Sequence, residues 1–185
     1  MNRLAQITLL VLVLLSLSAL VVVGSPQASA TGKLLQVTGS VTVNGARAIA
    51  GATISSDSAV VTGQNSSAVV SLGKLGRVEV LPQTTMKLSF ADDSVSVSML
   101  DAGRVRVSSS SNVNASTTTN DGHIIATARQ RNDFIVDTSC GNTFVSVKKG
   151  NVELRVGTDT NTVKQIAAGN QDTAGTARPG CTPAP

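Results

Sequence analysis

Aromatic side chains are nearly missing from this sequence: it has no Trp, no Tyr and only three Phe in 185 residues. Single-stranded nucleic acids and neutral sugar rings are therefore denied the stacking platforms on which they are normally held. Charge is sparse as well. Charged residues make up 14% of the chain, the formal net charge is +4, and the basic residues are scattered. That is too small and too dispersed an excess to mark a nucleic-acid partner. There is one histidine, His123, and there are two cysteines, Cys140 and Cys181. No segment after residue 30 approaches transmembrane length, and none keeps a helical period.

What is present is Val, Leu, Ile and Ala, set among Ser, Thr and Asn, with 41% of residues hydrophobic. β-branched side chains suit strands, and small polar ones suit their solvent faces and turns. A mature part of roughly 150 residues buries about 70% of its extended surface on folding, enough for one domain without a metal.

The first thirty residues follow the order of a secretory leader. Arg3 precedes an apolar run, Ile7 to Val23, which Gly24, Ser25 and Pro26 end before the small-x-small site Ala28-Ser29-Ala30. The pattern favours cleavage after Ala30. The alternative is a retained signal helix, because the run almost reaches the ~20 residues that span a bilayer. Either way the remainder leaves the cytoplasm, for the periplasm or the exterior, or anchored in the inner membrane. Contact with the membrane is expected only if the helix is retained. The expected domains are a signal peptide over residues 1–30, a β domain over 31–169 and a flexible polar tail over 170–185. Cys140 and Cys181 form an even count in an exported chain and are a candidate disulfide tying that tail to the domain; two free thiols are the alternative.

A short unit recurs. Gly39-Ser40-Val41-Thr42-Val43, Gly76-Arg77-Val78-Glu79-Val80, Asp93-Ser94-Val95-Ser96-Val97, Gly103-Arg104-Val105-Arg106-Val107 and Gly150-Asn151-Val152-Glu153-Leu154 each put a turn residue before strict alternation. Successive strand side chains point to opposite faces, so Val and Leu are expected inward and the polar residues outward. Met86 to Phe90 and Phe144 to Val147 alternate in the same way. Asn44-Gly45 and Asp121-Gly122 suit tight hairpin turns. Ser108 to Asn120, rich in Ser, Asn and Thr, reads as a mobile loop dividing two halves. The fold class is all-β: short antiparallel strands in a sandwich or a solenoid-like β-roll.

The order of these pieces resembles FecR-type domains. Gly39 to Val43, Gly51-Ala52-Thr53-Ile54, Asp57 to Gly63, Ser67 to Leu72 and Gly76 to Thr84 carry the first part of the likeness. Leu100 to Val105 and Phe144 to Val152 carry the rest, so that it covers most of Leu34 to Val156. The resemblance implies a periplasmic β-rich domain of a family whose best-known members relay a signal from an outer-membrane transporter to a sigma factor. Only six residues precede the apolar run and no further domain follows Gly169, so a stand-alone exported form is expected, without direct control of a sigma factor.

No catalytic, cofactor-binding or metal-binding set can be assembled from the sequence. His123 reads as a strand-entry surface residue with no local triad partner, and Asp92-Asp93 as a turn. Arg77, Arg104, Arg106 and Arg155 share the outward register and would form a basic surface stripe if their strands align. The expected function is a non-catalytic envelope binding or scaffold module whose partner is another envelope protein, serving signalling or assembly. The alternative is a surface or polysaccharide-binding protein that meets an anionic partner on its polar strand faces.

Overall fold

The computed structural model describes residues 31–157 and 162–183. The leader expected over residues 1–30, with its signal helix, lies outside the described residues. The chain forms β1 (Thr31–Thr38), β2 (Val41–Val43), β3 (Ala46–Arg47), β4 (Thr53–Ser55), β5 (Ser58–Thr62) and β6 (Ser67–Ser71). After a 3-10 turn at Gly73–Leu75 come β7 (Gly76–Val80), β8 (Thr85–Ala91), β9 (Ser94–Ser98), β10 (Arg104–Ser109), β11 (Asn114–Thr118) and β12 (Gly122–Ala126). The last five are β13 (Asn132–Asp137), β14 (Thr143–Lys149), β15 (Asn151–Val156), β16 (Val163–Ala167) and β17 (Gln171–Ala174).

These strands make two sheets. One has the order β17-β14-β13-β10-β7-β6-β1-β4, the other β16-β15-β12-β11-β9-β8-β5-β2-β3. From β6 onward the chain lays down one or two strands in one sheet, then crosses to the other, advancing steadily along both. The all-β reading therefore holds, with a two-sheet arrangement in which the chain winds back and forth. The expectation of purely antiparallel pairing needs one correction, because β9 and β11 run parallel. Between them the chain makes a single-strand excursion, β10, into the opposite sheet, and so returns in its original direction.

Alternation positions the core. Val78, Val80, Val95, Val97, Val105, Val107, Val152 and Leu154, all from the repeated unit, are buried and join one cluster drawn from both sheets. Each such side chain contributes about 1.5–3 kcal/mol relative to an exposed one. The turn chemistry is equally local. Asn44 and Gly45 have φ of 51° and 79° and close the β2–β3 hairpin, as a two-residue turn with both centres left-handed should. At the β11–β12 hairpin the expectation fails in detail. Gly122 belongs to β12, not to the turn, and glycine is needed because a Cβ there would stand 2.7 Å from the Arg155 carbonyl oxygen.

Two segments assigned to loops are strands. Residues 108–120, expected as a mobile loop, contain the end of β10 and all of β11. Val113, Ala115, Thr117 and Thr119 are buried in alternation, with threonine taking inward places that elsewhere hold valine. Residues 170–185, expected as a flexible tail unless Cys181 held it, begin with β17, which pairs antiparallel with β14. Beyond it, the Arg178 amide donates to the Cys140 carbonyl at 2.9 Å, and Cys181 is disulfide-bonded to Cys140 with Cα atoms 5.5 Å apart. The tail is thus fixed to the turn between β13 and β14.

Candidate binding surface

The outward row of β10 carries Arg104, Arg106 and Ser108, flanked by Glu79 and Arg77 on β7 and by Asp133, Ile135 and Asp137 on β13. The register sets Arg106 opposite both Glu79 and Ile135, and Arg104 opposite Asp137. Arg106 donates from Nε to Asp133 Oδ1 at 2.7 Å and from a terminal nitrogen to Oδ2 at 2.6 Å. Ser108 Oγ adds a bond to the same carboxylate at 3.3 Å. The Arg106 hydrogen bond, together with its charge, holds the Asp133 carboxyl below the ordinary carboxylate range despite partial burial. Arg104 Nε lies 3.7 Å from Asp137 Oδ2, and that carboxylate also accepts from the Ser139 amide at 2.8 Å.

The four arginines singled out from the sequence therefore divide. Arg77, Arg104 and Arg106 lie on one sheet, on adjacent strands; Arg155 lies on β15 of the other. There Arg155 Nε binds Glu153 Oε1 at 2.5 Å and faces His123 across the β12–β15 ladder. Arg104 and Arg106 sit in an alternating acid–base lattice with β13 and β7, whereas Arg77 is exposed. The partner carboxylates had no sequence signal: β13 reads Asn132-Asp133-Phe134-Ile135-Val136-Asp137, where Ile135 turns outward and masks the alternation.

His123 is half-buried on β12, with Nδ1 2.8 Å from Thr118 Oγ1. Burial, reinforced by the Arg155 charge, pushes its pKa below the ordinary histidine value. No group of three or more His, Cys, Asp or Glu side chains positioned to hold a metal occurs among the described residues.

The disulfide end is the more sculpted one. Clefts of about 360 and 540 Å³ lie there, both lined by Arg178 and Ala102. The first is also bounded by Leu100, which is 60% exposed. The Arg178 guanidinium donates to the Ser139 carbonyl, so the segment pinned by Cys181 forms part of both walls.

The ends of the sheets are open strands. β3 and β4 are two and three residues long, whereas β16 and β17 have five and four. Lys164 of β16 joins the latter two edges by donating to Asp172 Oδ1 and to the Thr173 carbonyl, each at 2.7 Å. Beyond that clamp, β16 pairs only with β15 among the described residues, and Val163 at its start is 44% exposed.

No protein-family model matches the chain, and no curated protein matches it in sequence. Two crystal structures of a "putative anti-sigma factor" from Parabacteroides distasonis ATCC 8503, at 2.50 and 1.65 Å resolution, match it in structure. Each match has a TM-score of 0.48 at 17% sequence identity and covers 62% of this chain. It covers 53% of the other, so the chain spans about half the length of the structures it is similar to.

Proposed function

We propose that this chain is an exported, FecR-like, non-catalytic module that binds another envelope protein through a strand edge, in signalling or assembly. The observation that carries the reading is the edge of β16, which among the described residues pairs on one side only and is the longest of the four strands at the sheet ends. An edge strand presents unpaired backbone donors and acceptors, and an extended partner segment can add to it by the same ladder that holds the sheet. Val163, Gln165 and Ala167 are exposed on β16, and only Lys164, turned toward β17, brings charge to it. The disulfide supports work outside the cytoplasm, since such bonds persist in oxidising compartments. His123 is engaged by Thr118 and faces an arginine, an arrangement that favours a structural part over that of a general base.

The experiment is crosslinking and capture from envelope extract with the full chain and with the variant Val163→Lys/Ala167→Lys, which places two charges on the edge. A specific protein captured by the full chain and lost with the edge variant is the expected result. Absence of a specific partner, or equal capture by the variant, would overturn the reading.

A further inference from the structure

We propose a second binding site at the opposite end of β10 from the disulfide, a groove that takes the carboxylates of an extended acidic polysaccharide. It uses none of the edge residues invoked above, so the two readings stand or fall separately. The groove has a volume of about 510 Å³ and is lined by Arg77, Arg131, Lys149, Asp133 and the hydroxyl-bearing Ser108 and Ser110.

Its charge is the first argument. Arg77, Arg131 and Lys149 are all exposed, and none has an ion-pair partner among the described residues. The one carboxylate in the wall, Asp133, has both oxygens taken by Arg106 and one of them also by Ser108. Its charge is met chiefly by Arg106, with a weaker pull from Arg77, so three exposed cations face the groove against one carboxylate that is already engaged. A concave site lined by one sign of charge concentrates the opposite sign.

Its spacing is the second argument. Ladder register places Lys33, Ser71, Arg77, Ser108, Asp133 and Lys149 in one row across β1, β6, β7, β10, β13 and β14. Neighbouring strands lie about 4.8 Å apart, so Lys33 and Arg77 are ~10 Å apart along the row and Arg77 and Lys149 ~14 Å. Cations spread at such intervals, with serines between them, fit a chain bearing repeated charges and hydroxyls better than one compact anion. A membrane surface fits less well, because the site is a recess and Leu35, left outside the ladder by the β1 bulge, is the one large apolar side chain at its rim. Without Trp or Tyr to stack on sugar rings, recognition here rests on charge and hydroxyl bonding, which selects an acidic glycan over a neutral one.

The test is calorimetric titration of the full chain with oligogalacturonate, with inorganic phosphate and with phosphatidylglycerol vesicles. Oligogalacturonate is expected to bind, and to weaken as salt is raised from ~0.05 to ~0.3 M. Arg77→Gln/Lys149→Gln is expected to weaken it about tenfold or more, while Arg47→Gln, on the exposed β3 edge of the other sheet, leaves it unchanged. Ser110→Asp, which adds a negative charge to the wall and removes no packing group, is expected to weaken it as well. No binding of oligogalacturonate overturns the proposal, as does equal binding by folded Arg77→Gln/Lys149→Gln and Ser110→Asp. Tighter binding of phosphate or of the vesicles, with displacement of the glycan, overturns it in favour of a single-anion or membrane site.

Discussion

Arg106 grips Asp133 from the neighbouring strand with two parallel hydrogen bonds of 2.7 and 2.6 Å, the planar guanidinium matching the carboxylate edge to edge. The two residues are not directly opposite: Arg106 pairs with Ile135, and Asp133 pairs with Ser108, one step along the same face. The bridge therefore runs diagonally, beside Ile135, which is only 7% exposed and shares this sheet face with Val69 and Phe144.

Asp133→Asn removes the charge but keeps the shape. With side-chain exposures of 35% and 20%, the pair lies between a surface and a buried bridge, and a loss of about 1 kcal/mol is expected in urea unfolding. Its pH dependence has a defined sign. The folded-state pKa of Asp133 is depressed, chiefly by the Arg106 hydrogen bond, so the stabilisation is present above the unfolded carboxylate value of 3.8. It is lost as pH falls through the lower folded value. The stability gap between the wild-type chain and Asp133→Asn should hold near neutrality and close below about pH 4. A gap that widens in acid would contradict this account.

The Cys140–Cys181 bond spans a sequence separation of 41. Loop-closure entropy of that size corresponds to about 4 kcal/mol, with wide scatter among measured proteins. Cys181→Ser should therefore lower the melting temperature by about 10 °C, and reductant should do the same to the wild-type chain but not to the variant. Because the pinned segment lines both clefts beside Arg178, amide exchange in residues 176–183 should accelerate on reduction while β13 and β14 stay protected.

Strands that bury Val were legible in the sequence, and those that bury Thr or bury little were not. Gly76-Arg77-Val78-Glu79-Val80 shows its inward face directly, because Val78 and Val80 are apolar and the residues between them are polar. β11 hides its inward face, since Ala115 and Thr117 look no more buried on paper than Ser116 and Thr118 beside them. β17 has one buried side chain, Ala174, and owes its place to backbone pairing with β14 and to the disulfide beyond it. The surface was less legible still. Outward register was readable for Arg77, Arg104 and Arg106, yet which carboxylate each meets depends on β13 lying next to β10, a long-range pairing that no local period encodes. The groove depends on the same long-range pairing, which brings Arg77 and Lys149 into one row and sets Arg131, just before β13, in its wall, so its members share no motif.

Gly76 separates two costs of replacing glycine. Its φ is 129°, and a Cβ would fall 2.0 Å from the Ser108 carbonyl oxygen, backbone that cannot swing aside. Gly45 also has positive φ, 79°, but a Cβ there meets nothing within 4 Å. Gly45→Ala is thus expected to cost about 1 kcal/mol, the backbone penalty alone. Gly76→Ala must also separate β7 from β10 and should cost about 3 kcal/mol or more in chemical denaturation. Equal effects would show that the ladder yields easily at this point.

His123 gives the most direct reading of the outer face of the second sheet, because it is the single histidine and its ring signals need no assignment. Burial disfavours the imidazolium, and Arg155 opposite adds repulsion, so the ring should titrate below the ordinary 6.5 in an NMR pH series. The folded pKa lies under the unfolded one, so the unfolded chain binds more protons in that interval. This residue's contribution is therefore complete above the unfolded value and is lost as pH falls through the folded one. Arg155→Gln removes the repulsion but leaves the burial, and should raise the His123 pKa part of the way back toward 6.5. Thr118→Val removes the 2.8 Å partner of Nδ1 without altering the charge and tests whether that hydroxyl fixes the ring. If it does, the two ring carbon signals of the variant should show averaging over orientations; if the wild-type ring already averages, the contact with Thr118 does not position it.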